Sequence, residues 1–284
     1  METAARGEHF DRMNIQLQIN LKPLKLRIRS GKRNPAVGQK ASRKDAFICS
    51  YPKSGNTWLR FLIANLLHPG GDVSFSTINQ LVPDIYSLNV GKMAQLPTPR
   101  ILKSHEAFRP DYRRVLYICR DPRDVLLSYY HFSRRERTID DDLPMKDFAR
   151  LFLDGGLQWQ EIGTWAEHVG SWMGARQIDD RFCFLRYENL YADPVGELRR
   201  IAHILKIPAT TKMLEGAVEA STANRMRSLE QSDTTAALGK NPRSDIPFVR
   251  VARPGGWREE LDPEIAAEME TRWGSLMQQL GYLG

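Results

Sequence analysis

Short apolar runs recur from residue 45 onward, each followed by turn-forming residues and then by apolar positions at helical spacing. AFICSY (46–51) leads through PKSGN into WLRFLIANLL (58–67), and VLYIC (115–119) leads through RDPRD into VLLSYYHF (125–132). FCFLRY (182–187) leads through the connecting ENLYADP into a helix over roughly 195–206. In that helix Val195, Leu198, Ile201, Ala202 and Leu205 share one face, and Pro194 suits the first turn. PRILKS (99–104) reads as a further buried strand. Strand, loop and helix in alternation predict an α/β fold, a single domain with a mostly parallel central sheet flanked by helices. DPEIAAEMETRWGSLMQQL (262–280) opens with an N-cap aspartate and a proline at the first helical position. The Pro/Gly-containing stretches 69–99 and 232–256 read as long loops, which in a compact domain are often functional.

A chain of 284 residues, 42% hydrophobic, sits at the upper end of one such domain. No stretch approaches the ~18 apolar residues of a membrane span, and no apolar signal region opens the chain. Cys49, Cys119 and Cys183 each lie in an apolar run, the setting of a small buried hydrophobe rather than of a disulfide framework. A reduced, cytoplasmic protein is expected. The net charge of +7 is uneven: residues 1–44 hold 11 Lys/Arg against 3 Asp/Glu, and the other 240 residues hold 30 against 31. This divides the chain into a basic N-terminal extension, 1–44, and a neutral body, 45–284. LKLRIR (24–29) alternates at period two, either as a peripheral strand or solvated extension or as a dock for an anionic partner such as a membrane surface. The basic tail lacks aromatic interleaving or a groove-reading motif, so no nucleic-acid partner is expected.

Candidate chemistry gathers where strands end. In YPKSGNTW (51–58), Gly55 permits a tight turn into a helix whose first N–H groups can cradle an anion. Lys53 adds a charge, and Ser54 and Thr57 add hydroxyl donors. The order is not that of a Walker A loop, and a Gly/Ser/Asn-rich turn without a ligand is the alternative. Arg120 ends the next strand, with Ser128 two helical turns later, so the two can converge on a second phosphate. The alternative there is an ion pair of Arg120 with Asp121 or Asp124. In KSHE (103–106), Lys103 and His105 lie on one side of an extended chain, and the imidazole suits proton transfer near neutral pH.

These residues resemble the PAPS-dependent sulfotransferases of the cytosolic type, which use 3′-phosphoadenosine-5′-phosphosulfate (PAPS) as sulfuryl donor. YPKSGNTW is similar to the family's 5′-phosphosulfate loop, a P-loop-like strand-loop-helix site, and RDPRDVLLSYYHF (120–132) to its 3′-phosphate segment. KSHE resembles the family's Lys-Thr-His element, with Ser for Thr. RYENLYADP (186–194) resembles the Tyr-Glu-Asp-Leu…Asp-Pro strand and turn, and FVRVARPGGW (248–257) the late phosphate loop. The resemblance runs in order over roughly residues 45–260 and implies sulfuryl transfer from PAPS to a hydroxyl or amine. It implies that Lys53, Ser54, Gly55, Asn56, Thr57 and Trp58 hold the 5′-phosphosulfate, with Trp58 also against the adenine. It places Arg120 and Ser128 on the 3′-phosphate, Tyr187 beside the base, and Ser221 and Met226 on the nucleotide. Register counted back from Trp257 puts Arg250 in the late loop. Val251 and Ala252 stand where many members have Lys-Gly, so the loop is open to another path, with Arg253 able to replace the lost charge. The threonine-valine dimerisation element of many animal members is absent from REELDPEIAAE (258–268), which leaves the oligomeric state open.

The mechanism so implied makes His105 the general base and Lys53 the partner of the leaving phosphate oxygen. Lys103 assists at the sulfuryl oxygens, and Ser128 bridges Lys53 and the 3′-phosphate. No carboxylate constellation suggests a metal. A nucleotide kinase or a non-catalytic nucleotide-binding protein is the alternative, the first wanting a Walker A order and a Mg²⁺ carboxylate. Phe75, Tyr86, Phe108, Phe132 and Trp159 are candidate walls of an acceptor pocket, which would suit a flat phenolic or steroid-like small molecule over a glycan or glycolipid. RRER (134–137) and DDD (140–142) read as solvated surface.

Overall fold

A computed structural model describes residues 42–157, 162–176, 179–233, 239 and 241–283. LKLRIR and Trp159 lie outside the described residues. Four strands, β1 (Ala46–Cys49), β2 (Ile101–Ser104), β3 (Arg114–Cys119) and β4 (Phe182–Arg186), form one parallel sheet in the order β2-β1-β3-β4. Ala46 is in register with both Ile101 and Arg114, so three strands start level.

The side-chain alternation of a strand distributes the core to both faces. Phe47, Cys49, Val115, Tyr117 and Cys119 join one apolar cluster with α4 (Pro122–Arg135), α5 (Met145–Leu153), α6 (Trp165–Arg176) and α12 (Pro263–Gln279). Ile48, Leu116 and Ile118 join the other with α1 (Asn56–Leu67), α8 (Pro194–Leu205) and α9 (Thr211–Ala220). A sheet covered on both faces explains why AFIC is buried throughout rather than alternating in and out. The three cysteines are buried free thiols, as their apolar settings predict.

Helix starts follow their capping chemistry. Asp121, Asp193 and Asp262 each accept a backbone N–H of the first turn, with Pro122, Pro194 and Pro263 at the first position. RDPRD therefore belongs mostly to α4 rather than to a loop. ENLYADP differs from the sequence reading too: α7 (Tyr187–Ala192) begins directly after β4 because Tyr187 and Leu190 bury one face of a short helical turn. The stretch 69–99 is structured as well, by α2 (Ile78–Leu81), a 3-10 turn at Ile85–Ser87 and α3 (Val90–Gln95). Each is too short to show helical periodicity. After α10 (Ala223–Ser232), the described residues hold no helix or strand until α11 (Trp257–Glu260). No helix among the described residues is long and apolar enough to cross a membrane.

The starts of β1 and β2 are fastened by a buried ion pair. Asp45, fully buried, accepts from Arg100 N at 3.0 Å and from its Nη2 at 2.6 Å, and Arg100 Nη1 donates to the Met93 carbonyl at 2.6 Å. Asp45→Ala strands the guanidinium and is expected to lower unfolding free energy by about 3–5 kcal/mol in denaturant titration, whereas an Asp45→Leu/Arg100→Leu pair should lose far less. A single variant within about 1 kcal/mol of the parent would show that water relieves the arginine.

Candidate active site

Because all four strands run the same way, their carboxyl ends share one edge of the sheet. A cavity of about 360 Å³ opens there, with Lys53, Gly55, Asn56, Thr57, Trp58, Lys103, His105, Arg120, Ser128, Tyr187, Met226 and Arg250 all in its wall. Nine strand-end or helix-start positions singled out in the sequence are thus brought together, along with Ser128 within α4 and two from later segments.

The loop after β1 enters α1 through left-handed backbone at Lys53 (φ 69°) and Gly55 (φ 101°). A Cβ at Gly55 would sit 2.6 Å from Tyr187 Cδ2, so glycine is required by the turn and by the ring against it. Helix α1 has no side-chain cap and no acidic residue in its first turn. Leu59 N–H makes the first bond, to the Gly55 carbonyl at 3.1 Å, so the N–H groups of Asn56, Thr57 and Trp58 precede the helical ladder at the cavity wall. This is an anion cradle. Asn56 Nδ2 ties the turn back to β1, donating to Ile48 O at 3.3 Å and Ser50 Oγ at 3.1 Å. Ser54 is fully buried, and among the described residues its Oγ has no hydrogen-bond partner, a donor that an anion at the start of α1 would satisfy.

Lys53 Nζ lies 3.7 Å from the Phe132 ring centroid and 5.0 Å from that of Phe248. Burial pushes its pKa down to about 7 against the pull of Glu136, with smaller repulsions from Lys103, Arg135 and Arg120. Among the described residues Lys53 and Ser128 share no hydrogen bond. The ammonium packs instead on Phe132, one turn beyond Ser128 on α4. Phe248 was quoted within the late loop but given no role in the sequence; its contact with Lys53 is long-range and carries no local signal.

Arg120 stacks over Tyr187 at 4.2 Å, donates to the Arg253 carbonyl at 2.9 Å and lies 3.4 Å from Asp124. The ion pair posed as its alternative therefore exists, yet Arg120 still faces the cavity. Asp124 does more than balance it, accepting N–H bonds from Gly255 at 2.7 Å and Trp257 at 3.0 Å. One buried carboxylate thereby fixes the late loop against α4. In that loop Ala252 holds φ 54°, a left-handed conformation natural to the glycine it replaces. Arg250 pairs with Glu260 at 2.8 Å. Arg253 pairs with Glu259 at 2.6 Å and is exposed, although it too reaches the wall.

Trp58 and Tyr187 meet edge to face at 5.5 Å, with Met226 in the same wall. Ser221 is corrected in kind: it is fully buried, and its hydroxyl joins Asn65 at 3.0 Å and the Ala217 carbonyl at 2.7 Å. Its carbonyl accepts the Trp58 indole N–H at 3.0 Å.

His105 Nδ1 lies 2.8 Å from the Ser50 carbonyl and 3.2 Å from Ser50 Oγ. A carbonyl only accepts, so Nδ1 carries the proton and Nε2 is the basic nitrogen. Burial foremost, and the Lys103 charge second, hold this imidazole well below its usual pKa of 6.5. Lys103 Nζ is bound to Asp84 at 2.5 Å. Asp84 lies in the stretch 69–99, where no periodic pattern marked it.

Of the candidate acceptor walls, Tyr86 and Phe132 line the cavity. Phe75 is buried between Phe61 and Phe248, and half-buried Phe108 packs on Trp172 at the edge of the core. Asp140, Asp141 and Asp142 are exposed as read, but Arg135 of RRER is buried and paired with Glu136. No group of three or more His, Cys, Asp or Glu among the described residues could hold a metal ion.

Residues 43–281 match the family described as Sulfotransferase domain. Sulfotransferase 1C2 of Oryctolagus cuniculus is 28% identical over 240 residues, covering 78% of this chain and 79% of that protein. Sulfotransferase 2B1 of Homo sapiens is 31% identical over 201 residues, 67% of this chain and 54% of that one. The fold is similar to retinol dehydratase in complex with androsterone and the inactive cofactor PAP, at TM-score 0.68 and 21% identity, covering 85% of this chain and 82% of that one. It is equally similar to a mouse sulfotransferase complexed with PAP, at TM-score 0.68 and 22% identity, covering 86% and 88%. The match over residues 43–281 shows that the chain belongs to the sulfotransferase domain family and is an enzyme of sulfuryl transfer from PAPS.

Proposed function

We propose that this enzyme sulfates the hydroxyl of a small, largely apolar acceptor, with His105 as general base. The observation that carries the reading is the Ser50–His105 bond, which engages Nδ1 and leaves Nε2 as the basic nitrogen of a ring in the wall of the cavity that holds Lys53 and the start of α1. PAPS, as substrate, supplies the sulfuryl group. The α1 N–H groups, Ser54, Thr57 and Lys53 hold its 5′ end, Arg120, Ser128 and Arg250 its 3′-phosphate, and Trp58, Tyr187 and Met226 its base.

The acceptor oxygen bonds to sulfur as the bond from sulfur to the 5′-phosphate oxygen breaks, and the acceptor proton passes to His105 Nε2. Lys53 meets the charge on the departing oxygen, which strengthens as that oxygen becomes anionic. The positive charge for this comes from Lys53, Lys103, Arg120 and the α1 N-terminus. Tyr86, Tyr129, Phe132 and Phe248 give the acceptor side aromatic walls. An imidazole of lowered basicity takes a proton more readily from a phenol than from an alkanol. Neighbouring structures bound to androsterone or retinol accord with an apolar acceptor. We place the enzyme in the cytoplasm, where its three buried thiols stay reduced, with residues 1–44 as an extension to the catalytic body and a contact for anionic surfaces.

Arg120→Ala should weaken binding of adenosine 3′,5′-bisphosphate by about 1.5–3 kcal/mol while leaving adenosine 5′-phosphosulfate almost unchanged. Equal losses for the two nucleotides in calorimetry would remove Arg120 from the 3′-phosphate.

Lys53, with a pKa of about 7, is mostly neutral one unit above that value, and a polyanionic ligand favours its charged form. About one pH unit above that pKa, binding of adenosine 3′,5′-bisphosphate should take up close to ~1 proton, read from calorimetry in buffers of differing ionisation heat. Lys53→Met should abolish the uptake, and uptake that persists in it would assign the proton elsewhere.

His105→Ala should bind PAPS as the parent does and lose about two to four orders of magnitude in turnover. The base works when neutral, and its pKa is depressed, so kcat should stay flat as pH falls through 6.5 and decline only at lower pH. An acidic limb centred at 6.5 or above, or near-parent turnover of the alanine variant with an alkanol acceptor, would contradict this role.

A further inference from the structure

The segment Asp84–Tyr86, which the sequence places in a long loop, grips both members of the strand end that carries the base. Asp84 Oδ2 binds Lys103 Nζ at 2.5 Å, and Oδ1 accepts Tyr86 N–H at 3.1 Å, capping the 3-10 turn. The main chains are joined as well: Lys103 N–H donates to the Pro83 carbonyl at 2.8 Å, and Asp84 and Lys103 form an isolated parallel bridge. Tyr86 Oη accepts His105 N–H at 3.1 Å, and its ring lies parallel to the imidazole at 6.5 Å. The Asp84 and Lys103 side chains are 20% and 15% exposed, and both belong to the cavity wall.

We propose that Asp84 is a positioning residue for the acceptor half of the reaction, fixing the Lys103 ammonium at one place on the wall and offsetting its charge beside His105. This rests on His105 being the base. A lysine stem has many rotamers, and a wall ammonium without a carboxylate would be neither localised nor balanced. Charged and titratable groups reach His105 from several packed elements. Lys103 comes from its own strand end, Asp84 from the neighbouring turn, and His168 from α6, with Nε2 3.2 Å from the His105 carbonyl. Ser50 holds Nδ1, Tyr86 holds the main chain, and Lys53 lines the same cavity. Lys103 disfavours the imidazolium and Asp84 favours it, so the two act on the base with opposite signs. Asp84 is itself an anion: burial would raise its pKa, but the Lys103 charge and hydrogen bond hold it below the usual carboxylate value.

The test is titration of the His105 ring by NMR of the ¹³C-histidine-labelled full chain with adenosine 3′,5′-bisphosphate bound, in the parent, Asp84→Asn and Lys103→Met. Asn keeps an acceptor for Tyr86 N–H, so the turn survives. Lys103→Met should raise the His105 midpoint, and Asp84→Asn should lower it or leave the ring neutral across the accessible range. General loosening of the site would move both variants the same way. Turnover of Asp84→Asn should fall roughly tenfold, with KM for PAPS within about twofold of the parent. A raised midpoint in Asp84→Asn, an unmoved one in Lys103→Met, or a loss of PAPS affinity in place of turnover overturns the proposal. A parent that fails to bind adenosine 3′,5′-bisphosphate overturns the functional reading, and this proposal with it.

Discussion

The common direction of four strands is the constraint on which the site depends. With Ala46 level with Ile101 and Arg114, the chain leaves β1, β2 and β3 at nearly the same height. Ser50 and Lys53, His105, and Arg120 then emerge side by side although they are far apart in sequence. The Asp45–Arg100 pair holds β1 and β2 in that register from the opposite end. A slip of one residue would turn Phe47 and Ile48 to each other's faces and lose the Ser50–His105 bond at the same time.

Gathering cations in a shielded cavity costs free energy, and the structure offsets each one differently. Lys53 has the faces of Phe132 and Phe248, which attract a cation without neutralising it. Lys103 has Asp84, and Arg120 has Tyr187 and part of Asp124. Among the described residues Lys53 makes no ion pair, and its burial brings its pKa down to about 7. The lysine nearest the reacting bond in the proposed mechanism is thus the one whose charge an anionic ligand most strengthens.

What was legible in the sequence is what local chemistry encodes. Gly55, Lys53 and the strand ends announced the cradle. The functions of Phe248, Asp84 and Asp124 were not legible. Phe248 acts across the cavity on Lys53, Asp84 reaches Lys103 from a stretch of short helices, and Asp124 binds backbone more than 130 residues away. Ser221 misled because a motif match reports position and not depth: its hydroxyl faces Asn65 in the interior. Phe75 and Phe108 misled in the same manner, since an aromatic in an irregular stretch packs inward as readily as it lines a pocket.

Asp124 also sets an order of events during synthesis. It lies 131 and 133 positions before the Gly255 and Trp257 amides it binds. A nascent chain can complete β1 to β4 and the cradle while these amides are still unmade or inside the ribosome exit tunnel. Until they emerge, the Asp124 carboxylate lacks both amide donors and keeps only its contact with Arg120, and the cleft has one side missing. In the proposed binding mode the donor nucleotide would therefore stabilise the finished chain more than products truncated before residue 255.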